Sequence, residues 1–326
     1  MRSVDGRAAR LATVLAVVAV AVALVGQSAV AMAFTSGTQP VAVVDAVPAD
    51  PTAAQWADAP ERTVSMSAQQ MAPPYGGGTT GEVTVQAVTN ESHVAFRLTW
   101  QDPTMDADIS EPRAFSDAAA IMLRTGEQPP IMMGAGGTPV NIWYWRASWQ
   151  ERTDVGGDMY AYPHPDNETR PGLAADNPLS QADYDQFAQN YYAKGYGSLS
   201  YAGSQPVSGV GERTDDGWSV VFVRERAASG EYGADFGSDE PVYMAFAIWN
   251  GSADEANGQK SLTYQFTKLE EGALQAVEDG SDSGSGGATP GGGTQENGRF
   301  GLITTVVSVA LLVWMVSYWR LRGRDG

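Results

Sequence analysis

The residues of this chain best suited to chemistry are a pair of thioethers and a lysine. Met132 and Met133 are adjacent in the sequence, and Lys260 begins a segment in which apolar and polar residues alternate. Lysine occurs at only two other positions, 194 and 268, so a lysine beside apolar residues is unusual here. A thioether sulfur and an unprotonated amine can each bind a metal ion. These residues therefore suggest a metal centre with sulfur and nitrogen ligands.

Strand alternation places Lys260 on the same face as Leu262, Tyr264 and Phe266. A buried ammonium group is costly, so such a lysine must pair with an anion, reach water or lose its proton. A neutral amine is a nitrogen ligand. The alternative is a lysine at the end of its strand whose amine extends to water, and alternation alone favours that alternative.

The two methionines also have two interpretations. In an extended segment only one of Met132 and Met133 can face inward. A thioether is a known axial ligand of haem iron, although filling a core is the commoner use of methionine. Trp143, Trp145 and Trp249 could form the walls around a large planar cofactor, or they could fill the core of a β-sandwich.

Composition excludes several classes of site. The 326 residues include no cysteine, which excludes disulfides, thiolate zinc sites, cysteine-held iron–sulfur clusters and covalent CxxCH haem. The net charge of -18 disfavours nucleic acid, because phosphate binding needs clustered Lys and Arg. Such an acidic surface suits a halophile, although it is also compatible with an ordinary secreted protein.

The remaining candidate ligands are weaker. His93 and His164 are the only histidines, and both are predicted to lie at the surface or in a loop. Asp102, Asp106 and Asp108 resemble a fragment of a calcium loop but lack its glycine and its terminal glutamate. A solvated acidic loop is the expectation for these three carboxylates.

Both ends of the chain predict contact with a membrane. Residues 1–33 have the layout of a secretory signal peptide or an uncleaved N-terminal anchor. Residues 300–320 are apolar over about 20 positions and predict a transmembrane helix. Arginines follow it, so the C-terminus is expected in the cytoplasm and the main domain outside the cell membrane. Residues 278–299 form a Gly/Ser-rich linker between this helix and a domain at 41–277.

Within that domain, alternation with period two predicts strands separated by polar turns. A short helix is predicted at residues 180–194. The fold class expected is all-β, an antiparallel β-sandwich with short helices, plus the C-terminal transmembrane helix. The predicted strands are residues 82–89, 93–100, 118–123, 140–149, 218–224, 242–249 and 261–266.

Four sequence pieces within this domain resemble a known family. In this order and spacing they are similar to the haem b-binding gamma subunits of type II dimethyl sulfoxide reductase-like molybdoenzymes, such as the gamma subunit of ethylbenzene dehydrogenase. The pieces are Phe96-Arg97-Leu98-Thr99-Trp100-Gln101-Asp102; Phe115-Ser116-Asp117-Ala118-Ala119-Ala120; Met132-Met133-Gly134 with Pro139-Val140-Asn141-Ile142-Trp143-Tyr144-Trp145; and Phe246-Ala247-Ile248-Trp249-Asn250-Gly251-Ser252 with Lys260-Ser261.

The resemblance implies a β-sandwich that holds one non-covalent haem b between a methionine and a lysine. By resemblance these axial ligands are Met133, with Met132 as the fallback, and Lys260. It further implies an electron-transfer subunit that does no substrate chemistry and assembles with a molybdenum-containing catalytic subunit and an iron–sulfur subunit. A respiratory nitrate or dimethyl sulfoxide reductase complex would fit an outward-facing domain. The alternative function is a surface-anchored module that binds carbohydrate or another ligand.

Overall fold

Two β-sheets pack face to face in the computed structural model, which describes residues 37–109, 114–151, 171–180 and 187–277. The strands in chain order are β1 (Gln39–Pro40), β2 (Ala42–Val43), β3 (Arg62–Ser65), β4 (Ser67–Ala68), β5 (Glu82–Thr89), β6 (His93–Gln101), β7 (Ala118–Thr125), β8 (Val140–Arg146), β9 (Ala188–Ala193), β10 (Ser200–Tyr201), β11 (Ser208–Arg213), β12 (Gly217–Glu225), β13 (Val242–Trp249), β14 (Ser261–Leu262), β15 (Thr267–Glu270) and β16 (Ala273–Ala276).

The larger sheet has ten strands in the order β1-β16-β15-β13-β7-β8-β9-β10, with β14 beside β13 and β4 beside β14. The smaller sheet has six strands in the order β11-β12-β6-β5-β2, with β3 also paired to β5. Pairing between these strands is antiparallel except between β2 and β5. The α-helices described are short, at Ala147–Glu151 and Pro171–Ala174, and 3-10 helices lie at Ala54–Asp58 and Gly251–Ala253. The predicted all-β antiparallel sandwich is confirmed.

The space between the sheets is filled by large side chains. Trp143 of β8 lies 6.1 Å from Phe96 of β6 and 6.4 Å from Phe222 of β12, measured between ring centroids. Trp145, also on β8, stacks edge to face against Trp218 at 5.2 Å. All five rings are essentially excluded from water. Their burial supplies much of the hydrophobic stabilisation, because aromatic side chains remove the most apolar area from solvent.

Strand β7 is buried on both of its faces. Every residue from Ala118 to Leu123 is buried. Ala119, Ile121 and Leu123 belong to the core between the sheets, whereas Ala118 and Ala120 belong to a second apolar cluster on the other face. An antiparallel sheet with one wet face would show alternating burial along the strand. The outer face of the larger sheet is therefore covered too.

Several predicted strands agree with the structure, and two end earlier than predicted. Residues 82–89 and 242–249 match β5 and β13. The strand predicted at 140–149 ends at Arg146, because the chain turns into the helix Ala147–Glu151. This turn is fixed by the main-chain N–H of Ala147, which donates to the carbonyl of Asp117 at 2.9 Å. The strand predicted at 261–266 forms β-sheet pairing only at Ser261–Leu262.

The helix predicted at residues 180–194 is wrong over its second half. Residues 188–193 form β9, which pairs with β8 along six residues. Phe187, Tyr191 and Tyr192 lie at a spacing that also suits a helix, but aromatic residues favour a pleated surface. Tyr191 is buried against the outer apolar cluster, so tertiary packing outweighs the helical pattern. Residues 181–186 lie outside the described part of the chain.

The predicted terminal segments fall outside the described residues. These are the signal peptide or anchor at 1–33, the linker at 278–299 and the transmembrane helix at 300–320. In the part of the chain that the structure does describe, no helix has both the length and the apolar character needed to cross a bilayer.

Candidate functional site

A cavity of about 530 Å³ lies on the outer face of the larger sheet. Its floor is made by the outward side chains of the central strands, and loops cover it. The floor residues are Ala120 and Met122 of β7, Ile142 and Tyr144 of β8, Tyr191 of β9, and Ala245 and Ala247 of β13. Ala120 lies directly opposite Ala247 in the ladder, so small side chains at the centre of the sheet leave the space open.

Lys260 lines this cavity beside Trp249. Its Nζ lies 4.8 Å from the centroid of the Trp249 ring. Among the described residues no carboxylate pairs with this ammonium group, and burial lowers the pKa of Lys260 to about 8. The residue keeps some accessible surface, which the cavity provides. The amine is therefore desolvated without a counterion, a state that favours a neutral nitrogen donor.

The backbone of Lys260 is held on both sides. Its N–H donates to the carbonyl of Gly76 at 3.2 Å, and its own carbonyl accepts from the N–H of Gln69 at 3.1 Å. Gly77 has a φ of +83°, and a Cβ there would lie 2.3 Å from the Lys260 nitrogen. Only glycine allows this close approach. The glycine turn therefore fixes where the lysine enters the cavity, a role that its sequence context did not suggest.

Met133 lines the same cavity from a tight loop. Its φ of 63° is left-handed, which is uncommon for a residue with a Cβ. Gly134 is left-handed as well, and a Cβ there would lie 2.4 Å from the carbonyl oxygen of Thr138. The carbonyl of Met133 accepts from the N–H of Gly195 at 2.9 Å. A left-handed non-glycine residue costs about 1–2 kcal/mol, so the surrounding loop must hold Met133 in place.

The two adjacent methionines are not equivalent. Met133 is partly buried and packs against the outer apolar cluster. Met132 also borders the cavity, but its side chain is 40% exposed. Of these two residues, Met133 is therefore the more buried.

The three tryptophans singled out from the sequence separate into two groups. Trp249 lines the cavity, and its indole N–H donates to the carbonyl of Asn257 at 3.1 Å. Trp143 and Trp145 do not line it, because they point to the other face of β8 into the core between the sheets. Of the two expectations for this pair, the structure supports core filling. In β11, Gly211 makes room for Trp145, since a Cβ there would lie 2.3 Å from the indole.

The residue between those two tryptophans faces the cavity. Tyr144 is edge to face with Trp249 at 5.3 Å and with Trp149 at 5.4 Å. Burial raises the pKa of the Tyr144 hydroxyl, so it stays protonated. Arg146, two residues on, lines the cavity from the same face of β8. Tyr144 was not identified as a site residue from the sequence. Alternation along β8 could have done so, because it places Tyr144 on the face opposite to that of Trp143 and Trp145.

The acidic residues near position 102 are not all solvated as expected. Asp102 is fully buried and Asp106 is partly buried, whereas Asp108 is exposed. The expectation of a solvated loop is therefore wrong for Asp102. His93 lies near the surface with its Nδ1 2.8 Å from the Ser92 hydroxyl, as predicted, and His164 lies outside the described residues.

The cavity suits a large apolar cofactor that accepts one soft and one nitrogen ligand. Its volume falls in the range of about 300–1,000 Å³ that small-molecule and cofactor sites occupy. Its lining is mainly aliphatic and aromatic, and it also includes the thioethers of Met71, Met122, Met132 and Met133, the carboxylate of Glu255 and the amine of Lys260. Thioether sulfur and a neutral amine are donors that haem iron accepts.

Sequence comparison finds relatives that match most of the described domain. The family model for ethylbenzene dehydrogenase matches residues 53–261. A protein of Haloferax mediterranei named as a respiratory nitrate reductase heme subunit is 32% identical over 222 residues, which are 66% of this chain and 66% of that protein. The chlorate reductase subunit gamma of Ideonella dechloratans is 26% identical over 261 residues, covering 77% of this chain and 93% of the relative.

Structural comparison gives only a weak likeness. A carbohydrate binding module of family 9 from Caldicellulosiruptor kristjanssonii, solved with glucose, aligns with a TM-score of 0.30 and 7% identity over 68% of this chain and 83% of the module. A likeness at this level carries no functional argument. The sequence match covers Gly77, Met133, Tyr144 and Trp249 and extends to Ser261 just after Lys260. This chain belongs to the ethylbenzene dehydrogenase family.

Proposed function

We propose that this chain is the membrane-anchored, extracytoplasmic b-type cytochrome subunit of a molybdoenzyme complex, and that it carries single electrons without acting on the substrate itself. The observation that supports this most is the placement of Met133 and Lys260 on one cavity, with the lysine desolvated and paired with no carboxylate of the described residues. The relatives named as a heme subunit and as a reductase gamma subunit support the same role.

Lys260 and Met133 would hold a non-covalent haem b through the lysine amine and the thioether. Bound haem supplies a one-electron Fe(III)/Fe(II) couple. The Nζ of Lys260 must be unprotonated to bind iron, and its lowered pKa reduces the cost of losing that proton near neutral pH. The thioether of Met133 favours a higher reduction potential than a second nitrogen ligand would give.

The remaining cavity residues would control orientation and water. Tyr144 and Trp249 meet edge to face and present aromatic surface to a planar ligand. The guanidinium of Arg146 offers a positive charge to the carboxylates that haem carries. The small side chains of Ala120 and Ala247 would leave room for the cofactor above the sheet.

We infer the cellular setting from the ends of the sequence and from the relatives. The apolar segment at 300–320 would anchor the chain with its C-terminus in the cytoplasm, and the acidic domain would face outward, where its charge suits high salt. Electrons would pass between this haem and a molybdenum-containing catalytic subunit by way of an iron–sulfur subunit. The relatives favour an oxyanion such as nitrate or chlorate as the substrate of the whole complex.

The proposal is tested by purifying the full chain from cells supplied with haem. We expect one haem b per chain, extractable by acidified solvent because there is no cysteine to bind it covalently, and a low-spin reduced-minus-oxidised spectrum. The Ala120→Leu variant narrows the cavity and should carry less haem, which checks that haem binds in this cavity. A folded chain that lacks haem bands under these conditions contradicts the proposal.

A further inference from the structure

A second cluster of possible ligands lies away from the cavity floor, where β6 ends and β7 begins. Asp102, Asp106 and Asp117 each place one carboxylate oxygen within 4.8 Å of the other two. Asp102 and Asp117 are fully buried, and Asp106 is partly buried. Buried carboxylates need charged partners, protons or a metal ion, because an isolated buried anion is very costly.

Two of the three carboxylates are fixed by donors from distant parts of the chain. Asp117 accepts from the N–H of Gly251 at 2.8 Å, from the N–H of Asp106 at 2.8 Å and from the indole of Trp218 at 2.9 Å. Asp106 accepts from the N–H of Ser252 at 3.0 Å. Their oxygens are therefore held in position, and their orientation does not depend on a flexible side chain.

The carboxylate of Asp102 is only half satisfied. Its Oδ1 accepts from the N–H and the hydroxyl of Thr104, each at 3.0 Å. Its Oδ2 is sealed from solvent and accepts no hydrogen bond from any described residue. Within the described part of the chain Arg213 is a nearby cation, but its Nη2 donates to the main-chain carbonyl of Asp102. A buried carboxylate oxygen without a described donor needs a partner, and Asp102 has a carboxylate oxygen within 4.8 Å of one from each of the other two residues.

Three carboxylates gathered in one cluster repel one another, and among the described residues Arg213 is the cation whose charge acts on Asp102. A bound cation would offset this negative charge.

We propose that Asp102, Asp106 and Asp117 bind one divalent cation, and that this cation is Ca²⁺. The ligand set is all oxygen, which suits a hard cation and excludes a soft one. Opposite ligands at about 2.4 Å from Ca²⁺ lie about 4.8 Å apart, which is compatible with the spacing of this cluster. Ca²⁺ also accepts irregular coordination, with water completing the shell, whereas Mg²⁺ demands a near-ideal octahedron.

The ion would fasten together segments that form one wall of the cavity. Asp106 and Asp117 bracket Ile109, Phe115 and Ser116, which line the cavity, and Gly251 follows shortly after Trp249. A Cβ at Gly251 would lie 2.0 Å from the carbonyl of Phe115, so these two segments are already in close contact. The proposal does not depend on haem, because the ion would bind the protein alone.

The direct test is equilibrium dialysis of the haem-free full chain against ⁴⁵Ca²⁺ in buffer with NaCl and excess Mg²⁺. The chain should bind one Ca²⁺ that Mg²⁺ does not displace, and CaCl₂ should raise the melting temperature over an EGTA-treated sample by on the order of 5 °C. Asp106→Asn and Asp102→Asn should each weaken binding at least about tenfold. The exposed carboxylate of Asp239 provides the control, and Asp239→Asn should change neither readout.

Two results would overturn the proposal. One is a folded wild-type chain that binds no Ca²⁺ above the level of Asp106→Asn and melts at the same temperature in CaCl₂ and EGTA. The other is Ca²⁺ binding that survives unchanged in both Asn variants, which would place the ion elsewhere. Asp106 is only partly buried, so Asp106→Asn keeps the test decisive if Asp102→Asn does not fold.

Discussion

The two faces of the larger sheet are built from the same strands but serve opposite purposes. On the inner face, Trp143 and Trp145 fill the space against the smaller sheet. On the outer face, Ala120 and Ala247 leave a cavity of about 530 Å³ that Tyr144 borders. A shift of one residue along β8 moves a side chain from the packed core to the cavity. The size of the side chains at alternate positions therefore decides which face of the sheet is close-packed and which face borders a cavity.

Two buried cations show the same contrast. On the inner face, Arg224 lies over the ring of Trp143 at 5.6 Å, and its guanidinium donates to the carbonyls of Glu225, Ala227 and Ala234. On the outer face, Lys260 also lies over a tryptophan, at 4.8 Å, yet none of the described residues accepts a hydrogen bond from its amine. The guanidinium of Arg224 is used in hydrogen bonds within the fold, whereas the amine of Lys260 remains available to a ligand.

The sharpest way to break the comparison is to remove the lysine amine. Lys260→Ala should abolish the low-spin haem spectrum, since no described group replaces the nitrogen ligand. Lys268→Ala removes the amine of an accessible lysine that pairs with Glu270, so it should leave the spectrum unchanged. Absorbance and electron paramagnetic resonance of both purified variants provide the measurement. An unaltered spectrum in Lys260→Ala would show that the outer face binds iron in another way, or not at all.

The second prediction concerns stability on the two faces. Trp143→Ala should lower the free energy of unfolding by about 3–5 kcal/mol, because it opens a void in the packed core. Tyr144→Ala should cost less in the haem-free chain, since its ring borders a space that is already open, but it should weaken haem binding. Urea unfolding of the haem-free proteins gives both values. An equal loss of stability would mean that the outer face is packed as tightly as the inner one.

A pair of neighbouring alanines sharpens the same point with smaller changes. Ala119→Leu should destabilise the chain by about 1–3 kcal/mol, because Ala119 faces a core without spare volume. Ala120→Leu should change the stability of the haem-free chain little and reduce haem uptake, because Ala120 faces the cavity. Thermal melts and haem titrations of both variants separate the faces. The comparison fails if the two leucines have the same effect on both readouts.

The last prediction concerns the dependence of stability on pH. The pKa of Lys260 in the haem-free folded chain is about 8, below its ordinary value of 10.5. The folded state therefore disfavours the charged amine, and the penalty eases as pH rises from about 8 to about 10.5. The stability of the haem-free wild type should rise over this range relative to Lys260→Met. A constant difference between the two proteins would show that the lysine is not desolvated.

Much of the fold could be predicted from the sequence, because strand alternation is a local signal. The strands β5 and β13 were predicted with their observed bounds. Which face of a strand points inward was harder to predict. All of Ala118–Leu123 is buried, so the pattern of β7 does not distinguish the core from the cavity. For the same reason, the sequence alone did not show which face of β8 borders the cavity. Trp143 and Trp145 were therefore candidates for the walls around a cofactor, and Tyr144 was not.

The candidate site depended on the family resemblance more than on periodicity. Alternation alone favoured a Lys260 that reaches water, since the covering loops and the Gly77 contact are distant in sequence. The acidic cluster was missed for a similar reason. Asp102 precedes a proline and turn residues, a context typical of solvated loops, yet it is buried, and its N–H donates to the carbonyl of Asp216 far along the chain.

The central claim is that one sulfur atom and one lysine nitrogen bind the same iron in the cavity on the outer face. X-ray absorption at the iron edge of the purified wild-type chain tests this directly, because sulfur and nitrogen scatter differently. The account predicts one sulfur and five nitrogen neighbours, four from the porphyrin and one from Lys260. Six nitrogen neighbours and no sulfur, or no iron in a correctly folded chain, would contradict it.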